Sequence, residues 1–518
     1  MVDINYTFSV DWSNDGDYGD TGEDVSARIL AASWFRGRDD ESQLTGRSVA
    51  GACDILLNNA SGDYSRFNTS SPLTGNLLPG RSIQIQAGSG DFPYEFPLVF
   101  DDNIVWTGKL LRLETIVDQQ PGQYARLIGI GSLGTINERI LRLAMQTSIG
   151  TGALWDLILD ELGWAAGDRS TDTGQTTIAR YPAKEVRGLT ALRQVELTEG
   201  GFGWEAKNGN INFSGRHARL AGDALMSQAT FSDASGAALS YSAIQEADPL
   251  PGLFNIFAVP VQRYTVGSLA TLWTLSESGA NSPSIKPGET KTFWARYPNP
   301  ASATNADSVD AWTTVVENTD YEANTQSGGG GTDRSASLSL VLTKFATAMK
   351  IAVTNDHATD TVFITLLQAR GTPVTKDDPV TMQSEDATSK TAYGERTWPS
   401  PPEFIPDTDE AQNWCGFNLA IYKNPIPKLP MTVMANRDTA HRAQVLTRDI
   451  SDRITVVANN GANLGHSGID CFIEWEKHEV SRGAKQHTVT WGLSGAEAFS
   501  DWFVWGTSKW GTTTRWTY

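Results

Sequence analysis

A β pattern occurs twice in this chain, near opposite ends, and it limits the fold more than any other feature. The first copy runs from Leu77 to Gly134 as LLPGRSIQIQAG, DNIVWTGKLLRLETIV and QYARLIGIGSLG. The second runs from Asp449 to Glu497 as DISDRITVVANN, GIDCFIEWEKHEV and KQHTVTWGLSGAE. Each copy has an Arg-led alternating strand, a loop, a longer strand pair and a closing strand that runs into Gly. In RSIQIQ, Ile83 and Ile85 face one way and Ser82, Gln84 and Gln86 the other, the period of a half-buried strand. Two related β modules predict a shell built from repeated barrels, and such shells act as scaffolds more often than as catalysts.

Composition narrows the class. A chain of 518 residues is long enough for two to four domains with ample core. With 19% charged and 40% hydrophobic residues it is not a disordered chain. Its 17 Trp and 48 Gly favour strands and turns. A net charge of −19 repels nucleic acid, which argues against ordinary DNA or RNA binding. Cys53, Cys415 and Cys471 are too few and too far apart for a disulfide framework or a zinc site, so reduced, buried thiols are expected. The start, MVDINYTFSVDW, lacks a signal peptide's basic and apolar regions, and no apolar run approaches the ~20 residues that span a bilayer. The reading is a protein made and kept in a cytoplasm unless something larger carries it out, with no stable membrane insertion.

The fold class this predicts is mainly β with a small α/β module, two β-barrel domains and an inserted β-sandwich-like domain. Residues 1–135 form the first barrel domain. Residues 136–220 switch to helical period: TINERILRLAMQ, GALWDLILDELGW with Gly163 as C-cap, and GLTALRQVELTEG each predict a helix. The strand pair FGWEAKNGNINFSGR follows, turning at NGN. Residues 221–255 and 430–500 form the second barrel domain. Residues 256–429 form the sandwich and a Pro-rich connector, Thr397 to Trp414, that ends in a short helix. Residues 501–518 form an aromatic C-terminal arm.

Candidate chemistry is sparse. GIGSLG, Gly129 to Gly134, fits the dinucleotide-binding glycine pattern between a strand and a helix, but its strand belongs to an antiparallel hairpin and no parallel strand promptly closes a βαβ unit. A strand-to-helix turn is the simpler expectation. Asp11, Ser13, Asp15 and Gly16 sit at calcium-loop offsets, but the twelfth position is Gly22 and the acid arrives one late at Glu23. A solvated acidic turn is expected, with Asp11, Ser13 and Asp15 as the weak calcium alternative. Glu474 and Glu476 share a strand face, which suits glycoside hydrolysis, yet Lys477 and His478 beside them point to a charged outer face. His478 and His487 face each other across a hairpin without a third metal ligand. Trp502, Phe503, Trp505, Trp510 and Trp516 suit an assembly arm better than a sugar-binding strip. No catalytic residue and no cofactor is expected.

At Gly51 to Ile83 the sequence becomes specific. A strand ending in Leu57–Asn59 leads to a Gly62-x-Tyr64 turn, Ser71–Pro72 and a Pro79-Gly80-Arg81 entry to the next strand. This resembles the N-terminal domain of long-tailed bacteriophage minor tail proteins of the tail-hub type. DVSARILAASWFRGRD, IVWTGKL, GALWDLILDELGW with GFGWEAKNGNINFSGRHARL, TSKTAYGERTW and the closing IDCFIEWEKHEVSRGAKQHTVTWGLS resemble further segments of that family. The resemblance implies a non-enzymatic virion protein with two hub-type, tube-type barrels per chain. It implies a homotrimeric ring of six barrels at a tail tip or baseplate, assembled in the bacterial host cytoplasm. The implied partners are tail tube or distal tail proteins on one side and tip or fibre proteins on the other, with DNA passing without specific binding. The rival readings are a carbohydrate-binding or carbohydrate-cleaving tail protein and, through GIGSLG, a dehydrogenase.

Overall fold

The computed structural model of the chain describes residues 4–39, 47–89, 104–118, 122–183, 185–247, 250–297, 306–461, 464–481 and 485–499. The chain is mainly β, and its largest sheet draws strands from both ends of the sequence. From the N-terminal half come β1 (Ile4–Val10), β2 (Ile29–Asp39), β3 (Ala52–Asn58), β4 (Ser82–Ser89), β5 (Ile104–Asp118) and β6 (Gly122–Ile130). They lie side by side in the order β1-β4-β5-β6-β3-β2, each neighbour antiparallel.

An α/β unit follows. It contains α1 (Ser132–Asn137), β7 (Gln146–Gly150), α2 (Thr151–Glu161), β8 (Arg169–Thr171), β9 (Thr177–Tyr181), α3 (Gly188–Glu199), β10 (Phe202–Glu205) and β11 (Ile211–Ser214). Its core includes Leu154, Trp155, Ile158, Leu192, Val195 and Phe213. Gly163 has φ +71, as a residue closing α2 requires. The helix expected over 135–146 is cut short after Asn137. Leu141, Leu143 and Met145 are buried at alternate positions, and the chain from Arg139 runs extended, with Leu141 N–H donating to Val186 O and Gly188 N–H to Arg139 O. The same apolar spacing served both periods, and pairing with residues 186–188 chose the extended one.

The C-terminal half contributes β12 (Thr230–Ser232), β13 (Ala243–Ile244), β14 (Met431–Met434), β15 (Arg453–Ala458), β16 (His466–Ser481) and β17 (Gln486–Gly495). Their spatial order is β12-β15-β16-β17-β14-β13, the same chain-order permutation as in the first half. Register agrees as well. Leu110 faces Gly129 and Arg112 faces Ile128, leaving Leu111 as a bulge; Ile473 faces Leu493 and Trp475 faces Gly492, leaving Glu474 as the bulge. Ahead of each bulge a residue with positive φ donates its N–H across the pair: Gly80 (φ +86) to Leu110 O and Ser451 (φ +71) to Ile473 O. Ser82 faces Lys109 as Arg453 faces Phe472, so the counterpart of Arg453 is Ser82, one residue past the Arg81 that leads the first copy. One difference remains: β1 is antiparallel to β4, whereas β12 is parallel to β15. In each half the chain entering the second strand bonds back to the first, through Val25 N–H to Phe8 O and Ser232 N–H to Leu239 O.

The halves meet where β2 pairs antiparallel with β16. Their buried faces merge into one core that holds Trp34, Ile85 and Leu127 together with Val433, Ile454 and Trp491. Between β13 and β14 the chain makes a long excursion. Two sheets, one centred on Val362–Lys376 and one on Ala348–Asn355, enclose a single apolar core, the expected sandwich-like insertion. Helices α4 (Ala387–Tyr393), α5 (Thr408–Tyr422) and α6 (Thr439–Thr447) complete the chain. The Pro-rich connector thus ends in a 15-residue helix, capped by the Asp407 side chain accepting from Glu410 N–H at 2.8 Å. Helix α6 lies between β14 and β15 and shows no apolar stripe; its sequence signal was the Asp438 cap, which accepts from His441 N–H.

Two glycines test this backbone. A Cβ on Gly80 would meet nothing within 4 Å, so G80A carries the left-handed backbone cost alone, about 1 kcal/mol. A Cβ on Gly37 (φ +136) would lie 2.4 Å from Trp475 Cα, inside the β2–β16 joint. G37A is expected to cost more than G80A, about 2–3 kcal/mol by chemical denaturation.

Candidate functional site

Strand alternation sends Trp34, Arg36 and Arg38 of β2 into the joint, and the facing positions of β16 carry His478 and Glu476. Glu474, at the bulge, also turns inward. Glu474 is 5% exposed and Glu476 is fully buried, so these acids do not form the outer face expected from their charged neighbours. Arg36 Nε donates to Glu476 Oε1 at 2.6 Å, its Nη1 lies 2.7 Å from Asp449 Oδ1, and the same nitrogen reaches Glu205 O at 3.1 Å. His478 Nε2 lies 3.2 Å from Glu476 Oε1, while His478 Nδ1 is 2.9 Å from His487 Nε2. The histidines do face each other across the hairpin. Tyr6 hydroxyl hydrogen-bonds His487 Nδ1, and Trp34 stacks on His478 with ring centroids 4.8 Å apart.

A second cluster lies alongside. Glu474 takes Arg38 on one side and Arg219 on the other, with Arg219 nitrogens at 2.8 and 2.9 Å. The Phe202 ring is sandwiched by the Arg38 and Arg219 guanidinium groups, 4.1 and 4.5 Å from its centroid. The α/β unit supplies two more buried acids. Glu196 accepts from Ser48 N–H and hydroxyl, and Glu205 accepts from Gly51 N–H at 2.9 Å and Leu133 N–H at 2.5 Å. Lys207, on the β10–β11 turn, donates to Leu446 O and Arg448 O at the end of α6. Three separately folded stretches are therefore tied at one place.

Electrostatics split the acids. Burial alone disfavours ionised Glu476, but Arg36, His478 and Lys207 hold it well below the usual carboxylate range. Burial raises Glu196 to about 8 and Glu205 to about 7 against weaker opposing hydrogen bonds. Burial lowers His478 below its ordinary value against the opposing charge of Glu476, and lowers His487 well below it. Such a split is a pattern of catalytic sites. Here every one of these groups is nearly or wholly buried and partnered by arginine, backbone or another ring, and the geometry is that of a clamp.

The other sequence candidates fall elsewhere. Asp11 is buried, and its carboxylate accepts from Asp15 N–H and Gly16 N–H at 3.2 Å and from Asn14 N–H. Glu23 accepts from Ser13 and Asp20 backbone N–H. Among the described residues no group of three acids, histidines or cysteines is placed to hold a metal. Trp502, Phe503, Trp505, Trp510 and Trp516 lie outside the described residues. At GIGSLG, a Cβ on Gly129 would meet Cys53 Sγ at 2.5 Å, and one on Gly131 would meet the Glu205 carboxylate at 2.0 Å. The turn is filled by protein, and Glu205 occupies the anion position at the start of α1. Cys53, Cys415 and Cys471 are free and buried. Sequence reasoning missed Arg36, Arg38, Glu196, Glu205 and Arg219. A signal existed for the first two: they continue the period-2 row begun by Ala32 and Trp34.

No family model matches the sequence, and no curated protein matches it. Solved structures do resemble the fold. A tail protein from Neisseria meningitidis MC58 is 10% identical with a TM-score of 0.49, over 96% of this chain and 99% of that one. A 43 kDa tail protein from prophage MuSo2 of Shewanella oneidensis is 10% identical with a TM-score of 0.48, over 96% and 99%. An E. coli type VI secretion component, described as similar to the T4 tail proteins gp27 and gp5, is 8% identical with a TM-score of 0.37, over 91% and 74%. Among the described residues no helix is long and apolar enough to cross a membrane.

Arg36→Met strands Glu476 in the core and is expected to cost about 3–5 kcal/mol, whereas R36M/E476L regains most of that stability. Stability also depends on pH in both directions. Glu196 and Glu205 have folded values raised from 4.5 to about 8 and about 7, so their contribution is complete below about 4.5 and is lost as pH rises through those values. His478 and His487 have folded values below 6.5, so their contribution is complete above that and is lost as pH falls. Thermal melts from pH 5 to 9 should show a dome whose alkaline limb flattens in E196Q and whose acid limb flattens in H487Q.

Proposed function

We propose that this chain is a structural hub of a bacteriophage tail tip or baseplate. The observation that supports it is the pair of six-strand modules with matching order, register and bulge, joined edge to edge inside one chain. In this reading each module serves as one of the two tube-type domains, the α/β unit links them, and the sandwich is an excursion from the second. A homotrimer of such chains presents six modules around a channel and so matches a tail tube of sixfold symmetry. Tail tube and distal tail proteins bind one face, tip or fibre proteins the other, and the tail tip of the virion is the site of action. The net charge of −19 is in keeping with a channel wall of negative charge, past which DNA slides without sticking. The hub carries no catalytic role. The aromatic segment 501–518 serves assembly.

Glycan contact is a second reading with one specific observation behind it. Trp294, on the sandwich, is 45% exposed and stacks on Phe345 with centroids 5.9 Å apart. Exposed stacked aromatics suit sugar faces.

Native mass measurement should give a trimer, and tail-tip density should place three chains about one axis. A monomer in assembled particles defeats the hub reading, and a channel lined by Lys and Arg defeats the charge argument. On a glycan array, binding that disappears in W294A supports the second reading.

A further inference from the structure

The β2–β16 joint has an unused counterpart at each end of the molecule. Strand β16 is covered along one edge by two partners: β15 reaches Phe472, with a last bond to Ile473, and β2 takes Trp475–Val480. Strand β5 has the same first partner in β4, whose bonds stop at Leu110. Aligning the two bulges makes residues 112–117 the counterparts of 475–480. On that edge residues 112–117 have no strand partner among the described residues. The counterpart of β2 is β13, which ends the path of the large sheet with its outer edge unpaired among the described residues.

Burial separates the used joint from the unused one. Arg36, Glu476 and His478 are 0–1% exposed. The matching stretch of β5 lies open: Leu113, the counterpart of Glu476, is half-buried, Thr115, the counterpart of His478, is exposed, and Ile116 and Val117 beyond them are 39% and 71% exposed, while on the other edge Ala243, Gln245, Glu246 and Ala247 are exposed. A bare edge bearing apolar side chains invites strand addition and is seldom left uncovered. Among the described residues the chain thus carries a socket without its strand at one end and a strand without its socket at the other.

We infer that the missing partner is a second copy of this chain, with β13 of one copy pairing antiparallel to β5 of the next. Register follows from the internal joint, where Ala32 faces Val480 and Ser33 faces Glu479. Ala32 and Ile244 are counterparts, because they face the equivalent residues Ile55 and Met431. Ile244 of one copy therefore faces Val117 of its neighbour, and Gln245 faces Ile116. The contact is head-to-tail, so it closes into a ring when the rotation between modules repeats at the chain boundary. This inference rests on the hub reading and names the surface by which the ring closes.

The test is a V117C/I244C variant of the full chain, treated with a short bifunctional thiol reagent, since facing Cβ atoms lie about 5 Å apart. The native thiols are buried, and V117C and I244C alone serve as controls. The expected result is a covalent ladder between chains that stops at the ring size and is absent from both controls. V117D, at an exposed position, should leave the chain folded with a cooperative melt and shift native mass to the monomer. An oligomer that survives V117D and does not cross-link overturns this inference while leaving the hub reading standing. A wild-type chain that is monomeric at every concentration and in assembled tails overturns both.

Discussion

Everything distinctive in this molecule depends on the antiparallel pairing of β2 with β16. It joins residues more than four hundred positions apart, and it does so with charge inside: Arg36 meets Glu476 across the strands. Buried ion pairs add little net stability, because desolvation offsets the attraction. Their effect here is on register. A slip of one residue would turn Arg36 and Trp34 outward, bring Phe35 inward, and leave Glu476 in the core without its arginine. Apolar rows tolerate such slips far better, so the charges select one alignment of the two modules from several that hydrophobicity alone would allow.

The two copies differ most where one is covered and the other is not. Glu474, Glu476 and His478 are buried, and their counterparts Leu111, Leu113 and Thr115 lie on a strand whose edge is open. Divergence at these positions follows from the environment. The second copy meets β2 of the same chain and carries groups that recognise its arginines. The first copy carries short or apolar side chains at the same places. Elsewhere, where both copies face their own cores, Ile83 and Ile454 or Ile85 and Val456 remain interchangeable in kind.

The duplication was legible because strand period, turn glycines and the closing Gly are local signals. The hairpins β4-β5-β6 follow from them, whereas the pairings of β1 with β4 and of β6 with β3 join strands that are not neighbours in sequence. The site was largely illegible. FIEWEKHEV reads as a charged surface because its neighbours in sequence are charged; its neighbours in space are Arg36, Arg38 and Arg219, which no local window contains. The stretch from Arg139 to Met145 fits two periods, and only the backbone of residues 186–188 decides between them. Helix α6 lacks an apolar stripe because it packs through His441, Arg442 and Val445, which leaves its cap as the sole local cue.

The GIGSLG turn shows why a motif can be physically correct and functionally empty. Its glycines permit close approach, and a helix start favours an anion. Both conditions are met by Glu205 of the same chain: its carboxylate accepts from Gly51 and Leu133 N–H groups, and its own carbonyl accepts from Arg36. One residue of the α/β unit thereby touches the end of the first module, the start of α1 and the arginine of the joint. The turn is therefore a packed junction, in which a side chain of the connecting unit takes the place an anion would otherwise fill.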